Sequence, residues 1–430
     1  MKVVLVGAGA REHAIAEHLA RGASLYSIMD KPHPGILPLS TDSLICDPTD
    51  RERVSSWCAE NGIELGFVSP DALLEKGVTD ILASAGVKVA SPLRESARIE
   101  WDKNYARNLL LRHKIPGLPG FLLVNDAEEA SAFISRMGDV VVKPVGLTGG
   151  KGVRIMGEHL NSPEEALAYI SELIEKDGHA LLEEKLEGEE FTLQAFCDGT
   201  RISAMPPVQD HKRAFVGDTG PNTGGMGSYS TGPLLPFMEP GDLEAAKSIM
   251  QLTVDAMRSE GNPFRGVLYG QFMLTRGGPK VIEFNARFGD PEAMNALMLL
   301  RTPLHEIFQS IPEGNLMGAA FSTDCTVVKY LVPEGYPSAG KKGMKVDVDR
   351  QALLKCGGKA YFASVYGEGG AVLTTSSRAV AVASRDASLG HAEEKAECSI
   401  RAISGNLWHR PDIGTAALVR KRVEHMGRLR

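Results

Sequence analysis

The first nineteen residues constrain the fold more than any other stretch. Lys2-Val-Val-Leu-Val6 is an apolar, β-branched run without polar alternation, which suits a strand buried on both faces of a parallel sheet. It runs into the turn Gly7-Ala-Gly-Ala-Arg11, and Glu12 to Leu19 then carries helical spacing. Leu65 to Val68 and Val87 to Ala90 repeat the strand signal, each ending near Ser-Pro, and Ala72 to Ala85 between them reads as one helix. Strands alternating with helices argue for an open, Rossmann-like α/β domain, set at residues 1–102.

The remaining chain needs more than one further unit. At about 150 residues per domain, 430 residues imply two to four. Arg98 to Arg112 reads as one helix, and Gly117-Leu-Pro-Gly120 marks a boundary after it. Val140 to Val142 and Val153 to Ile155 are two strands joined by the glycine-rich Gly146 to Gly152. Pro163 to Glu175 is a helix with Asn161 or Ser162 as its N-cap, and Leu181 opens another strand. Pro206 to Pro236 is rich in Gly, Pro, Asn and Thr and reads as a long functional loop. Leu268 to Leu274 and Lys280 to Phe284 form a hairpin around Gly277-Gly278. From Cys325 the chain becomes strand-rich. The expected modules are therefore 1–102, 103–324 with a mobile lid at about 120–187, and an α+β unit at 325–430.

Composition removes several classes. With 43% hydrophobic and 23% charged residues, disorder, collagen and coiled coil fail as global descriptions. Lys and Arg total 47 against 54 Asp and Glu, a net −7, which disfavours nucleic acid as a partner. No apolar run approaches the roughly 20 residues of a membrane span, and the opening run is too short for a signal-peptide core. The six cysteines, Cys46, Cys58, Cys197, Cys325, Cys356 and Cys398, show neither CxxC pairing nor zinc spacing. Reduced thiols in a cytoplasmic protein is the expectation.

Four segments carry chemistry. Gly7 to Arg11 between strand and helix lets backbone approach an anion at a helix N-terminus, whose N–H groups supply donors and a partial positive charge. Glu12 stands where a dinucleotide fingerprint has its third glycine, so a plain βα turn and an anion site compete here. Lys143-Pro-Val-Gly-Leu-Thr-Gly-Gly-Lys-Gly152 puts two lysines around a glycine loop between strands, so ammonium groups and N–H groups can wrap a triphosphate; a P-loop is excluded, because no Ser or Thr follows Lys151. Glu183 to Glu190 leaves a strand with carboxylates and backbone groups near Lys185 and Leu186 that can meet an adenosine, or simply forms a solvated acidic face. Glu283-Phe-Asn285 ends a strand with Glu283 and Asn285 on one side and Phe284 on the other, two oxygen ligands that suit Mg²⁺. Arg287-Phe-Gly-Asp-Pro-Glu292 follows, placing a guanidinium at the same edge. On the strand before it the facing residue is Gln271, which offers a carbonyl oxygen and no charge.

Lys143 to Gly152, Glu183 to Leu186 and Glu283 to Asn285 resemble the nucleotide-binding elements of the ATP-grasp fold. Gln209-Asp-His-Lys-Arg213, Asp218 to Gly227 and Glu283 to Glu292, with the opening Gly7 to Ala14 and the closing Arg410-Pro-Asp-Ile-Gly414, resemble the glycinamide ribonucleotide synthetase (phosphoribosylamine–glycine ligase) family of purine biosynthesis. The resemblance spans nearly the whole chain. It implies ligation of glycine to 5-phosphoribosylamine through a glycyl phosphate, with ATP as co-substrate and Mg²⁺ or Mn²⁺ as the metal, in a monomer or weak dimer. On that resemblance Lys103, Lys143, Gly149, Gly150, Lys151 and Gly152 hold phosphates, and Glu183, Leu186 and Glu190 hold adenosine. Glu283 and Asn285 bind the metal. Arg287, Asp290 and Lys151 act in catalysis, and Gly9, Arg11, Glu12, Asp210, Thr223 and Arg378 bind the other substrates. Departures from the family pattern at Ala10, Lys31 to Gly35, Ser69 to Asp71 and Thr375 to Arg378 all lie on the amine-substrate side. Another ATP-grasp ligase with a different amine acceptor and a catalytically silent nucleotide-binding protein are the alternatives. His13 and His211 touch phosphate or simply pack; His391, His409 and Trp101 are read as structural.

Overall fold

The computed structural model describes residues 1–146 and 152–430. The opening run forms the strand Lys2–Val6 at the centre of a five-stranded parallel sheet, with Ser24–Met29 and Asp42–Ile45 on one side and Leu65–Val68 and Lys88–Val89 on the other. Val3 to Val6 are fully buried, as the missing alternation requires. The helix Ala10–Leu19 follows directly, with Gly9 as its N-cap. Gly7 makes the turn at φ 122°, and a Cβ there would lie 2.6 Å from Pro70 Cδ, so glycine is required twice over.

Two expected helices are each divided. Ala72 to Ala85 is split into Asp71–Glu75 and Val78–Ser84 by Gly77, which sits left-handed at φ 74°. Arg98 to Arg112 is split into Arg94–Trp101 and Lys103–Arg112 at Asp102, whose carboxylate leaves helical geometry to cap the N–H of Tyr105. In both cases the apolar spacing continues through a residue better suited to a cap than to a helix interior.

The central sheet is antiparallel, in the order Ile202–Ala204, Glu189–Asp198, Arg265–Thr275, Gly278–Asn285. A register shift pairs Gln271 with Glu283 and Phe272 with Val281, leaving Ile282 between them as a bulge. Above this sheet, Phe121–Val124, Val140–Lys143, Arg154–Ile155 and Ala180–Glu184 form a sheet of their own. Helices Ala127–Met137 and Pro163–Asp177 cover it around Phe133, Ile134, Val142, Ile170 and Leu182. Ser162 caps the second helix and Pro163 opens it.

Pro206 to Pro236 is not the long loop expected. It contains the strands Gln209–Asp210, Arg213–Phe215, Thr219–Asn222 and Gly227–Ser230, each too short to show alternation. Gly227–Ser230 is wholly buried and pairs with Cys325–Pro333, which in turn pairs with Val380–Asp386. The C-terminal module also grips the first helix: Lys359 Nζ lies 2.6 Å from Glu17, and the N–H of Phe362 donates to His13 Nδ1 at 3.0 Å. Reduced thiols throughout is corrected too. Cys356 and Cys398, 42 residues apart, form a disulfide, because helices Arg350–Cys356 and Leu389–Ile400 pack together and bring their Cα atoms to 5.5 Å. Spacing rules detect cysteines close in sequence and miss such a pair. Among the described residues no helix is long and apolar enough to cross a membrane.

Gly7→Ala is expected to lower unfolding free energy by about 2 kcal/mol, from positive φ and the Pro70 clash together. Urea denaturation of the two proteins measures it, and equal midpoints refute the steric account.

Candidate active site

Three modules meet at the end of the strand Gly278–Asn285. Alternation places Glu283 and Asn285 on one face, with Asn285 Nδ2 3.5 Å from Glu283 Oε1, while Phe284 is buried on the other. Burial pushes the Glu283 carboxyl up, but Lys212, Lys143 and Lys103 outweigh it and hold the group below its ordinary value, and so ionised. One carboxylate and one amide are too few donors to hold a cation alone. Among the described residues no cluster of three or more His, Cys, Asp or Glu adds to them. That donor set fits Mg²⁺, which keeps waters and takes phosphate oxygens as remaining ligands.

Arg287, just beyond, is held from behind. Its Nη2 lies 2.8 Å from Glu100 Oε1, and the N–H of Ala286 donates to Glu100 Oε2 at 2.8 Å. Burial pushes the Glu100 carboxyl up to about 7 against the pull of Arg287. Facing Glu283 across the ladder, Gln271 accepts from Lys212 Nζ at 2.7 Å and donates to Glu190 at 2.6 Å. Burial also opposes the charge on Lys212, yet Glu190, Glu283, Asp210 and Glu292 keep its pKa above the ordinary value. Beside it, burial and the Glu292 carboxylate raise Asp210 well above the usual carboxylate range.

At the end of the strand Ala180–Glu184, Glu183 is almost fully buried between two cations. Arg107 Nε donates to one oxygen and Lys143 Nζ to the other, both at 2.6 Å. The second arm of Arg107 donates to the carbonyl of Ile282, the bulged residue, at 2.6 Å. Burial raises the Glu183 carboxyl, but Arg107 and Lys143 bring it down to about 2. Both oxygens are engaged inside the protein, and Glu183 thereby anchors Lys143. Lys103 Nζ donates to the carbonyl of Gly146 at 2.7 Å. Gly152 accepts from Tyr169 Oη at 2.7 Å. Gly149, Gly150 and Lys151 lie outside the described residues. Leu186 lines an open groove of about 460 Å³ with Lys185, Arg276, Lys280 and Arg428.

On the other substrate side, Arg11, Glu12, Thr223 and Arg378 all have partners inside the protein. Arg11 is buried; it donates to Glu12 at 2.7 Å and to the Phe288 carbonyl at 2.9 Å, and so faces inward rather than toward a phosphate. Glu12 also accepts from Ser69 Oγ at 2.5 Å, so Ser69 has an internal use. Burial pushes the Glu12 carboxyl up, but Arg11 and Ser69 hold it below the ordinary value. Arg378 Nη2 donates to Asp290 at 2.9 Å, and its Nη1 donates to the carbonyls of Gly224 and Gly225 at 2.6 and 2.9 Å, with Tyr330 under the guanidinium. It ties the C-terminal module to the substrate loop. Thr223 Oγ1 donates to the Lys212 carbonyl at 2.8 Å and accepts from the N–H of Gly225 at 3.0 Å, closing a turn. His211 is buried, His409 meets Glu397 at 3.1 Å, and Trp101 packs under Arg94 and Arg98. Sequence reasoning missed Glu100, Arg107 and Glu292 as site residues and gave Lys212 no role. Lys212 and Glu292 stand inside the family strings, whereas Glu100 and Arg107 carry no local signal.

The family models agree with this geometry. Residues 1–100, 101–293 and 326–416 match, in turn, the N, ATP-grasp (A) and C domains of phosphoribosylglycinamide synthetase. The chain belongs to the phosphoribosylglycinamide synthetase family. It is 49% identical over the full length of both chains to the phosphoribosylamine–glycine ligase of Methanothermobacter thermautotrophicus. It is 46% identical to that of Thermococcus gammatolerans, over 99% of this chain and 97% of the relative. Among solved structures it resembles a phosphoribosylamine–glycine ligase from Thermotoga maritima, with TM-score 0.79, 27% identity, and coverage of 96% of this chain and 100% of that one. The biotin carboxylase domain of Hydrogenobacter thermophilus 2-oxoglutarate carboxylase, at 15% identity and TM-score 0.73 over 99% of this chain and 93% of that one, shares the fold.

Glu183→Gln is expected to cost on the order of 3 kcal/mol at pH 7, since it leaves two buried cations without their countercharge. The depressed carboxyl contributes stability that is fully present above the ordinary pKa of 4.5 and is lost as pH falls toward about 2. Urea titrations of both proteins at pH 7 and pH 3.5 test this: the gap should narrow at the lower pH, and a constant gap refutes the ionic account.

Proposed function

We propose that this chain joins glycine to 5-phosphoribosylamine at the expense of ATP, giving glycinamide ribonucleotide, ADP and phosphate. The observation that carries the reading is the strand end where Glu283, Asn285 and Arg287 meet Lys103, Lys143 and Lys212, in a chain that matches ligases of this name over its whole length. A carboxylate is a poor electrophile, and the ligation solves this in two displacements. An oxygen of glycine attacks the γ-phosphorus as the bond to ADP breaks. The amine nitrogen of phosphoribosylamine then attacks the acyl carbon, loses a proton, and phosphate leaves. Positioning and charge neutralisation are what the protein supplies.

Lys103, Lys143 and Lys151, with Gly149, Gly150 and Gly152, cradle the phosphates, and Leu186 and Glu190 hold adenosine. Glu283 and Asn285 would hold Mg²⁺ or Mn²⁺, which neutralises phosphate charge when bound. Arg287 steadies the transferred phosphoryl group. Asp210 and Lys212 face glycine, beside Asp290 and Glu292. The phosphate of the amine substrate sits at the N-terminus of the helix Ala10–Leu19, on N–H groups after Gly9, because Arg11 is turned inward. Modules 1–102, 103–324 and 325–430, with a lid at about 120–187 closing over the site, complete the reading. The enzyme works in the cytoplasm as a monomer or weak dimer.

Phosphate release from ATP with glycine and phosphoribosylamine, separately and together, tests the activity; turnover with both amine and glycine absent or irrelevant refutes it. Glu283→Gln and Arg287→Ala should each lower kcat by about 10²–10³ with thermal unfolding unchanged. A variant retaining more than about a tenth of wild-type turnover removes that residue from the mechanism.

A further inference from the structure

The closing string Arg410-Pro-Asp-Ile-Gly414 has no part in the chemistry above, yet its charged side chains are spent on the substrate loop. Arg410 is fully buried. Its Nε and Nη2 fork onto Asp412 at 3.0 and 2.7 Å, while Nη1 donates to Asp218 Oδ1 at 2.9 Å and to the Arg213 carbonyl at 3.0 Å. Asp412 accepts in turn from the N–H of Gly217 at 3.0 Å. From the helix Ala416–Leu429, Arg422 reaches the second oxygen of Asp218 and lies 3.3 Å from Glu189. On the loop side the ring of His211 is 3.3 Å from Asp218.

Asp218 is one of two non-glycine residues among those described with positive φ, at 59°. A lone aspartate in that region is strained and persists only where its surroundings over-determine it. The segment so held, 213–222, has Asp210 and Lys212 at one end and Thr223 to Gly225 at the other. Burying an arginine is costly, and an apolar residue would fill the same space more cheaply. What the guanidinium adds is a fixed planar fork that sets the loop's register.

Resting on the functional reading above, we infer that Arg410 and Asp412 are positioning residues for the ligation: they lock the Asp218 turn and thereby aim Asp210 and Lys212 at glycine. They act through the loop and touch no substrate. Arg422 is the second arm of the same clamp.

The test is steady-state kinetics on the full chain, with Asp412→Asn, Arg410→Lys and Arg422→Gln. The wild-type chain is assayed first, because absence of ligation there refutes the functional reading, whereas ligation with unaffected variants refutes only the clamp. Each variant is expected to raise the KM for glycine about tenfold or more, with the KM for ATP within about twofold. Thermal midpoints of Asp412→Asn and Arg422→Gln should stay within a few degrees of wild type. If Arg410→Lys does not fold, the other two decide. An unchanged glycine KM in folded variants overturns the proposal. So does a parallel loss of every kinetic parameter together with the thermal midpoint, which is the signature of a structural prop alone.

Discussion

The contact on which most of the site depends is the Glu183 carboxylate held between Arg107 and Lys143. It ties the helix Lys103–Arg112 to the paired strands Ala180–Glu184 and Val140–Lys143, which the sheet ladder already holds in register with each other. Arg107 carries the tie onward to the carbonyl of Ile282. That carbonyl belongs to the bulged residue between Val281 and Glu283, so the arginine occupies the point where the strand departs from regular pairing. The ends of the two paired strands and the backbone next to Glu283 are thus tied by one buried charge cluster. Removing either partner of such a cluster is much costlier than never having built it, which makes it a rigid pivot rather than an adjustable contact.

Arg287 follows the same logic with a different partner. Glu100 takes both its guanidinium and the N–H of Ala286, so the backbone and side chain of the catalytic strand exit are set from the N-terminal module. The carbonyl of Phe288 accepts from Arg11 on the first helix and lies 3.3 Å from Arg287 Nη1. The turn that would receive the amine substrate's phosphate and the arginine that would steady the phosphoryl group therefore share one carbonyl. Two modules far apart in sequence are coupled through a single peptide.

Much of this fold was legible in the sequence, and the parts that were not share a cause. Lys2–Val6 and Leu65–Val68 were readable because a strand buried on both faces has no polar alternation to confuse it. The hairpin around Gly277-Gly278 was readable from its turn residues. The breaks at Gly77 and Asp102 were missed because apolar spacing continues across them, and a cap declares itself only when the chain is seen to turn. The strands between Gln209 and Ser230 were missed because two to four residues carry no period. In the site, Glu283, Asn285 and Arg287 stood together in one string. Glu183 was found but its buried partners were not, since they lie 76 and 40 residues away and nothing local announces them. The same distance hid Glu100 from Ala286 and Cys356 from Cys398.

The ionic pattern also says which cations have something to gain from a nucleotide. Lys143 already has Glu183, Arg287 has Glu100, Arg11 has Glu12 and Arg378 has Asp290. Each is oriented by an internal carboxylate and offers its remaining field to the site. Lys103 differs: among the described residues it donates to the carbonyls of Val145 and Gly146, and burial lowers its pKa below the ordinary value. A lysine desolvated and held on neutral acceptors is the group whose charge an incoming phosphate stabilises most, because the phosphate supplies both the countercharge and the missing hydrogen-bond acceptor. Those carbonyls belong to the approach to the glycine loop. A phosphate that took Lys103 from them would release the Val145 and Gly146 carbonyls in the same step, so phosphate binding there and the placement of that backbone would draw on one ammonium group.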